Sequence, residues 1–241
     1  MSTVVRSRFY PLAAAALAAF VLVGFSRTYY LRLLSDLPPM TGLVHLHGLV
    51  FTAWLGLFFA QTRFIAAHRV DLHRKLGIAG LALAAIVIAV GFATVAVKAN
   101  EPRIHPSGLT PPQFTIVGST SLALFAVFLG LGVAFRRRAA LHRRFMMLAM
   151  IAVLTPASSR ILTLLGLREY WSFLTPVLPA GFVVWCLARD WMRERIVHPV
   201  YAIGGIAITL AWPFRLIAGR AEWYQPVGEW IARVGAGLVS A

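Results

Sequence analysis

The stretch LHRKLGIAGLALAAIVIAVGFATVAV, Leu72–Val97, decides the fold class. His73, Arg74 and Lys75 stand at its start, and from Leu76 to Val97 no charged residue follows. A helix rises about 1.5 Å per residue, so about 20 mostly apolar residues cross the hydrocarbon layer of a bilayer. This run is long enough. A transmembrane strand would alternate polar with apolar over about 10 residues, and this run does not. It reads as a membrane-spanning helix.

Six more runs share its character. Together the expected spans cover about 9–34, 43–63, 72–97, 113–135, 141–165, 171–191 and 199–219. The composition of the 241 residues agrees: 59% are hydrophobic and 13% charged, with a mean hydropathy of +0.77. Soluble chains carry about 25% charged residues. The expectation is an all-α polytopic integral membrane protein, one domain over 1–241, with seven transmembrane helices. Spans two to five are expected to form a four-helix core. The N-terminal run exceeds a signal-peptide core and no small-x-small cleavage site follows it, so it reads as a first span. Arg27 and Arg32 would then reach from its end to the interface. Residues 220–241 are too polar to span. Trp223, Tyr224 and Trp230 suit the head-group layer, so this tail is expected to lie at the interface.

The net charge of +15 is distributed by side. With the N-terminus placed inside, fourteen Lys and Arg fall on the inner face and nine on the outer. The inner set is Arg6 and Arg8, the Arg63–Lys75 turn, the Arg136–Arg144 segment, and Arg189, Arg193 and Arg195. The positive-inside rule then gives a cytoplasmic N-terminus and an external C-terminus. Such a face attracts anionic lipids, and the pattern argues against nucleic acid. A protein partner or a second copy of the chain remains open.

A short repeat stands out. RVDLHRKLGIAG (69–80) and RAALHRRFMMLAM (138–150) both place R-x-x-L-H-R-basic at the inner start of an outward-running span. Spans two–three and four–five therefore read as related hairpins. With HLHG at 45–48, Gln61, and Arg160 eighteen residues after His142, the region from about His45 to Arg160 resembles a family of uncharacterised bacterial integral membrane proteins of unknown function. That family loosely resembles the ascorbate-dependent transmembrane b-type cytochromes, whose helix-borne histidines ligate two haems in a four-helix core. The resemblance implies a histidine-held haem b. Span four, however, contains no histidine, so the outer haem pair lacks one ligand.

The candidate residues follow. His73 and His142 head spans three and five at similar depth and would face each other diagonally across a bundle. Such a pair can ligate haem iron or a transition metal, or it can bind lipid phosphate or cap neighbouring structure. Gly77 and Gly80 leave that face bare for a porphyrin or a close helix. His45 and His47 point about 200° apart on a helix. His45 shares a face with Gly48, Thr52 and Gly56, which should pack on protein. His47 shares one with Phe51, Trp54 and Phe58, which suits lipid or a flat cofactor. With His105 in the following outer loop they could make a zinc or copper site. Arg160, after Ser158 and Ser159, could hold a haem propionate or an anionic substrate, or snorkel. Arg215 reads as snorkelling.

Other classes fall away. All eight acidic residues lie at span ends or in loops, so no carboxylate relay crosses the core. Neither lysine lies in span seven, which excludes a retinal Schiff base. Cys186 is the only cysteine and allows no intramolecular disulfide. The function expected is histidine-ligated redox, with electrons from a quinol or small reductant. The alternative is a non-enzymatic helper or carrier for a metal, cofactor or small molecule.

Overall fold

In the computed structural model, residues 8–34, 39–102 and 105–240 are described. Arg6 and Arg103 of the charge tally lie outside them. All regular structure among the described residues is helical. Five helices are long and apolar enough to cross a membrane. They are Phe9–Tyr30, whose α-helical part Phe9–Phe25 is α1, then α2 (Gly42–Ala66), α3 (Val70–Lys98), α4 (Pro111–Ala134) and α9 (Pro199–Ala218). Two bent pairs raise the number to seven if each is one span. One pair is α5 (Ala139–Ala152) with α6 (Thr155–Leu164), bent by 48°. The other joins Arg168–Leu174, which ends in α7 (Trp171–Leu174), to α8 (Val177–Glu194), bent by 41°. Proline explains both bends. Pro156 has no N–H and its ring clashes with the carbonyl four residues back, so the helix restarts there. Pro176 does the same ahead of α8. Gly166, at φ +73°, ends the α6 segment.

The chain divides into two compact units at Gly91/Phe92, inside α3. The expected core of spans two to five cuts across this division.

In the first unit α1 lies on α2. The α1 segment ends in one π-helical turn, Ser26–Tyr30, which presents two tyrosines to α2. The Tyr29 ring occupies the space a side chain on Gly48 would need. Its hydroxyl donates to the His45 carbonyl at 3.3 Å, and the Tyr30 hydroxyl meets that of Thr52 at 2.8 Å. His45, Gly48 and Thr52 thus pack on protein, as that face suggested, whereas Gly56 of the same face is exposed. Trp54 and Phe58 are buried too, while His47 and Phe51 on the same side are half-buried.

In the second unit the last six residues of α5, Met147 to Ala152, are buried all round. Two adjacent glycines bring α9 against two neighbours: Gly204 receives Leu148 of α5, and Gly205 receives Val183 of α8. They serve close approach here rather than a kink. The tail forms a helix, α10 (Gln225–Ser240). It sits with Gly228 over the Pro112 carbonyl and Gly235 over that of Ala96, while Asn100 donates to the Ala232 carbonyl at 2.8 Å. Trp223 and Trp230 are exposed. Tyr224 is not. It is buried with Ile116, Trp171 and Trp212, and its hydroxyl meets Thr115 at 2.9 Å.

Candidate functional site

The histidines of the repeat each sit at the fourth position of their helix. Each reaches back to the helix before it. Gln61 of α2, with its amide turned to satisfy all its neighbours, donates to the His73 carbonyl (3.1 Å) and Nδ1 (2.5 Å) and accepts from the Gly77 N–H (3.0 Å). His142 Nδ1 lies 2.7 Å from the Gly132 carbonyl in α4, so it donates and carries the proton. In its neutral form His142 then has its lone pair on Nε2, as an imidazole ligand to haem iron or a metal requires. Gly80 meets Leu57 of α2, whereas a side chain on Gly77 would meet nothing within 4 Å.

The other metal candidates have aromatic company. His45 lies beside Tyr29, and His47 stacks on Phe51 with centroids 4.1 Å apart. His105 stacks on Phe114 at 3.7 Å and meets Trp171 at 4.2 Å. Among the described residues no three His, Cys, Asp or Glu side chains form a metal-holding group.

At the arginine-rich end of the second unit lies a cluster that the sequence did not reveal. Arg144 of α5 is fully buried, and so is Asp190 of α8. Arg144 Nε donates to Asp190 at 2.7 Å, Nη2 to Glu194 at 2.5 Å and Nη1 to the Ala140 carbonyl at 2.8 Å. Arg143 pairs with Glu194 at 2.7 Å, and Arg189 bridges Asp190 and Glu194. Tyr201 of α9 lies under the Arg144 guanidinium, 5.9 Å from it. His198 caps α9, its Nδ1 accepting from the Val200 N–H at 3.2 Å. Burial lowers the His198 pKa, and the charge of Arg144 lowers it further. Three guanidiniums thus share two carboxylates, in a geometry that ties α5 to α8. Arg143, Arg144 and Arg189 had read only as inner-face charges at span ends. The available signal was spacing: Asp190 and Glu194 stand four apart, on one helix face.

The opposite end of the same unit holds a second buried cation. Arg215 is 2% exposed, so it does not snorkel. Its Nε donates to Thr120 of α4 at 2.6 Å, and Nη1 to Thr155 of α6 at 3.5 Å. No carboxylate among the described residues pairs with it. The Thr120 hydroxyl gives its own proton to the Ile116 carbonyl, so its oxygen is the acceptor. Arg160, ranked above Arg215 by the sequence, is half-buried, and one guanidinium nitrogen donates to the Pro156 carbonyl in its own helix at 2.9 Å. The ranking is reversed by which way each helix face turns. Beside Arg215, between α4 and α9, runs a groove of about 260 Å³ lined by Thr120, Ala123, Leu124, Val127, Ala211 and Phe214.

No protein-family model matches the chain, and no curated protein or solved structure matches it.

Proposed function

We propose that this chain is a multi-pass membrane protein that binds a small anionic molecule in its second unit and carries it or hands it on. The observation behind this reading is Arg215: a guanidinium 2% exposed, in an apolar helix, with hydroxyls as its partners and no carboxylate among the described residues. A cation in a membrane span is expensive and is ordinarily paired or functional. Two of the five N–H groups of this guanidinium are used by threonines, and an anion would engage the others. The test is thermal melting of the purified protein against acetate, phosphate and chloride. Wild type should be stabilised by at least one anion in a saturable way, and Arg215→Gln should not respond. Equal responses would remove Arg215 as the site.

The second reading is the histidine-held haem b or transition metal with a redox role. The tautomer of His142 favours it, because Nε2 carries the lone pair that a metal needs. His73 and His142 are the ligand pair of that reading. Arg160 as a propionate partner and a three-histidine centre at His45, His47 and His105 are the remaining parts of that reading. A Soret band in the visible spectrum of purified protein that disappears in His142→Ala supports it. A colourless, metal-free, well-folded wild type ends it.

Seven spans, with the N-terminus and the arginine-rich ends cytoplasmic in a bacterial inner membrane, complete the proposal. The charge distribution and the two bent pairs support it. Anionic lipids are then the partners of the inner face.

A further inference from the structure

The cluster between α5 and α8 carries a charge that its own side chains do not balance. Arg143, Arg144 and Arg189 face two carboxylates, Asp190 and Glu194, so one positive charge is left over. We propose that this excess binds the phosphodiester head of one anionic phospholipid, with Arg143 at the rim as its partner and the acyl chains lying along α8. The proposal rests on the reading that anionic lipids are the partners of the inner face, and it narrows that reading to one site.

Three physical arguments support it. The first is access. The side chains of Arg144 and Asp190 are fully buried and that of Arg189 is 10% exposed, whereas Glu194 is 28% and Arg143 34% exposed. Glu194 Oε1 accepts from both Arg143 and Arg189, so one carboxylate oxygen serves two cations. Of these two, Arg143 is the one that an approaching head group reaches. The second is charge. A phosphodiester carries one negative charge and balances the excess. A phosphate monoester, at about −1.5 to −2, overshoots it beside Glu194. The third is the surface next to the cluster. Trp191 stands three residues before Glu194, so the two are neighbours on the surface of α8. Gly181, Val184 and Trp191 follow one exposed stripe of that helix, and a side chain on Gly181 would meet nothing within 4 Å. One leaflet of hydrocarbon is about 15 Å deep, the rise of about ten helical residues, which is the stretch from Gly181 to Trp191. An acyl chain thus has an apolar wall that ends at the cationic rim, with Trp191 at the head-group level that tryptophan favours. Basic pockets at helix ends on the cytoplasmic side take lipid head groups in this way.

The test is thermal melting of full-length protein in phosphatidylcholine nanodiscs, titrated with phosphatidylglycerol or with soluble diethyl phosphate. Wild type should be stabilised by phosphatidylglycerol in a saturable way and not by diethyl phosphate. Arg143→Gln leaves two guanidiniums on two carboxylates. It should melt close to wild type in phosphatidylcholine alone, and need at least about tenfold more phosphatidylglycerol for its half-effect, the size expected for a charge-assisted hydrogen bond. Glu194→Gln leaves three guanidiniums on one carboxylate. It should melt earlier in phosphatidylcholine and regain more from phosphatidylglycerol than wild type gains. Arg193→Gln removes an equal charge from the exposed surface of the same helix end and should titrate as wild type does. If Arg143→Gln and Arg193→Gln shift the titration equally, the attraction is diffuse: the inner-face reading stands and the single site falls. If Glu194→Gln is destabilised equally with and without phosphatidylglycerol, the lipid does not sense the excess charge and the proposal is wrong. If diethyl phosphate reproduces the effect, the site takes a soluble diester and the lipid assignment is wrong. If phosphatidylglycerol changes nothing in any variant, both readings fall.

Discussion

Asp190 shows most sharply how a single residue carries the second unit. Its carboxylate is fully buried between the guanidiniums of Arg144 and Arg189. Asp190→Asn leaves a buried cation short of a partner, which costs about 3–5 kcal/mol. A melting series in detergent should show that loss, and a double change of Asp190 and Arg144 to leucine should lose less than the single one. A double variant worse than Asp190→Asn would mean the pair is not coupled. His198 sits beside the same cluster, and its lowered pKa gives a pH signature. The unfolded chain titrates this group near about 6.5. Below that value, down to the folded pKa, the unfolded state binds more protons, so stability falls as pH falls. Wild type should melt earlier at pH 5.5 than at pH 7.5, and His198→Asn, which keeps an acceptor at the cap, should show a smaller drop. None of these partnerships was legible in the sequence. ARDWMRER reads as a span end running into a basic loop, because burial depends on which neighbour arrives. Arg160 and Arg215 pose the same problem, since both stand near the end of an apolar run. Only the packing of α9 on α4 separates them. Arg215→Gln should therefore lower the melting temperature more than Arg160→Gln does, and the reverse order would contradict the burial described above.

At the level of elements, what the sequence made plain was length and polarity. Each expected span reappears as a helix or a bent pair of helices, because bilayer thickness sets the length of an apolar run. In the L-H-R repeat, each histidine bonds to the helix before it. Which proline would bend a helix was not readable. Pro156 and Pro176 interrupt theirs, yet Pro213 lies inside α9 without ending it. The docking of α10 was hidden as well, because Gly228 and Gly235 acquire meaning only opposite the carbonyls of Pro112 and Ala96. Gly235→Leu has no room there and should lift α10 away. Limited trypsin digestion should then cut at Arg233 faster than in wild type, while melting of the remaining bundle changes little. Unchanged cleavage would mean that α10 is held by other contacts.

For the molecule as a whole, the number of crossings is the open quantity that matters. Five spans and seven spans both leave the two termini on opposite sides, so a reporter after Ala241 does not separate them. The turn between the bent pairs does. If α5–α6 crosses, Leu165 emerges on the face opposite the Arg136–Arg138 turn; if it is re-entrant, Leu165 returns to that turn's own face. Leu165 is 65% exposed, and the native thiol Cys186 is fully buried and gives little background. Leu165→Cys in intact cells should react with an impermeant maleimide. Labelling only after the membrane is opened would overturn the seven-span proposal.

The clamp between α5 and α8 also bears on biogenesis. A ribosome delivers Arg144 to the membrane well before Asp190 exists. Alone, an arginine or aspartate at the centre of an inserting helix costs about +2.5 to +3.5 kcal/mol, and less near its end. The early helix is therefore a poor insertion substrate until the later one neutralises it. Asp190, made later, then supplies the partner of Arg144, and a nascent chain stopped before Asp190 should be degraded faster by membrane quality-control proteases than one that includes it.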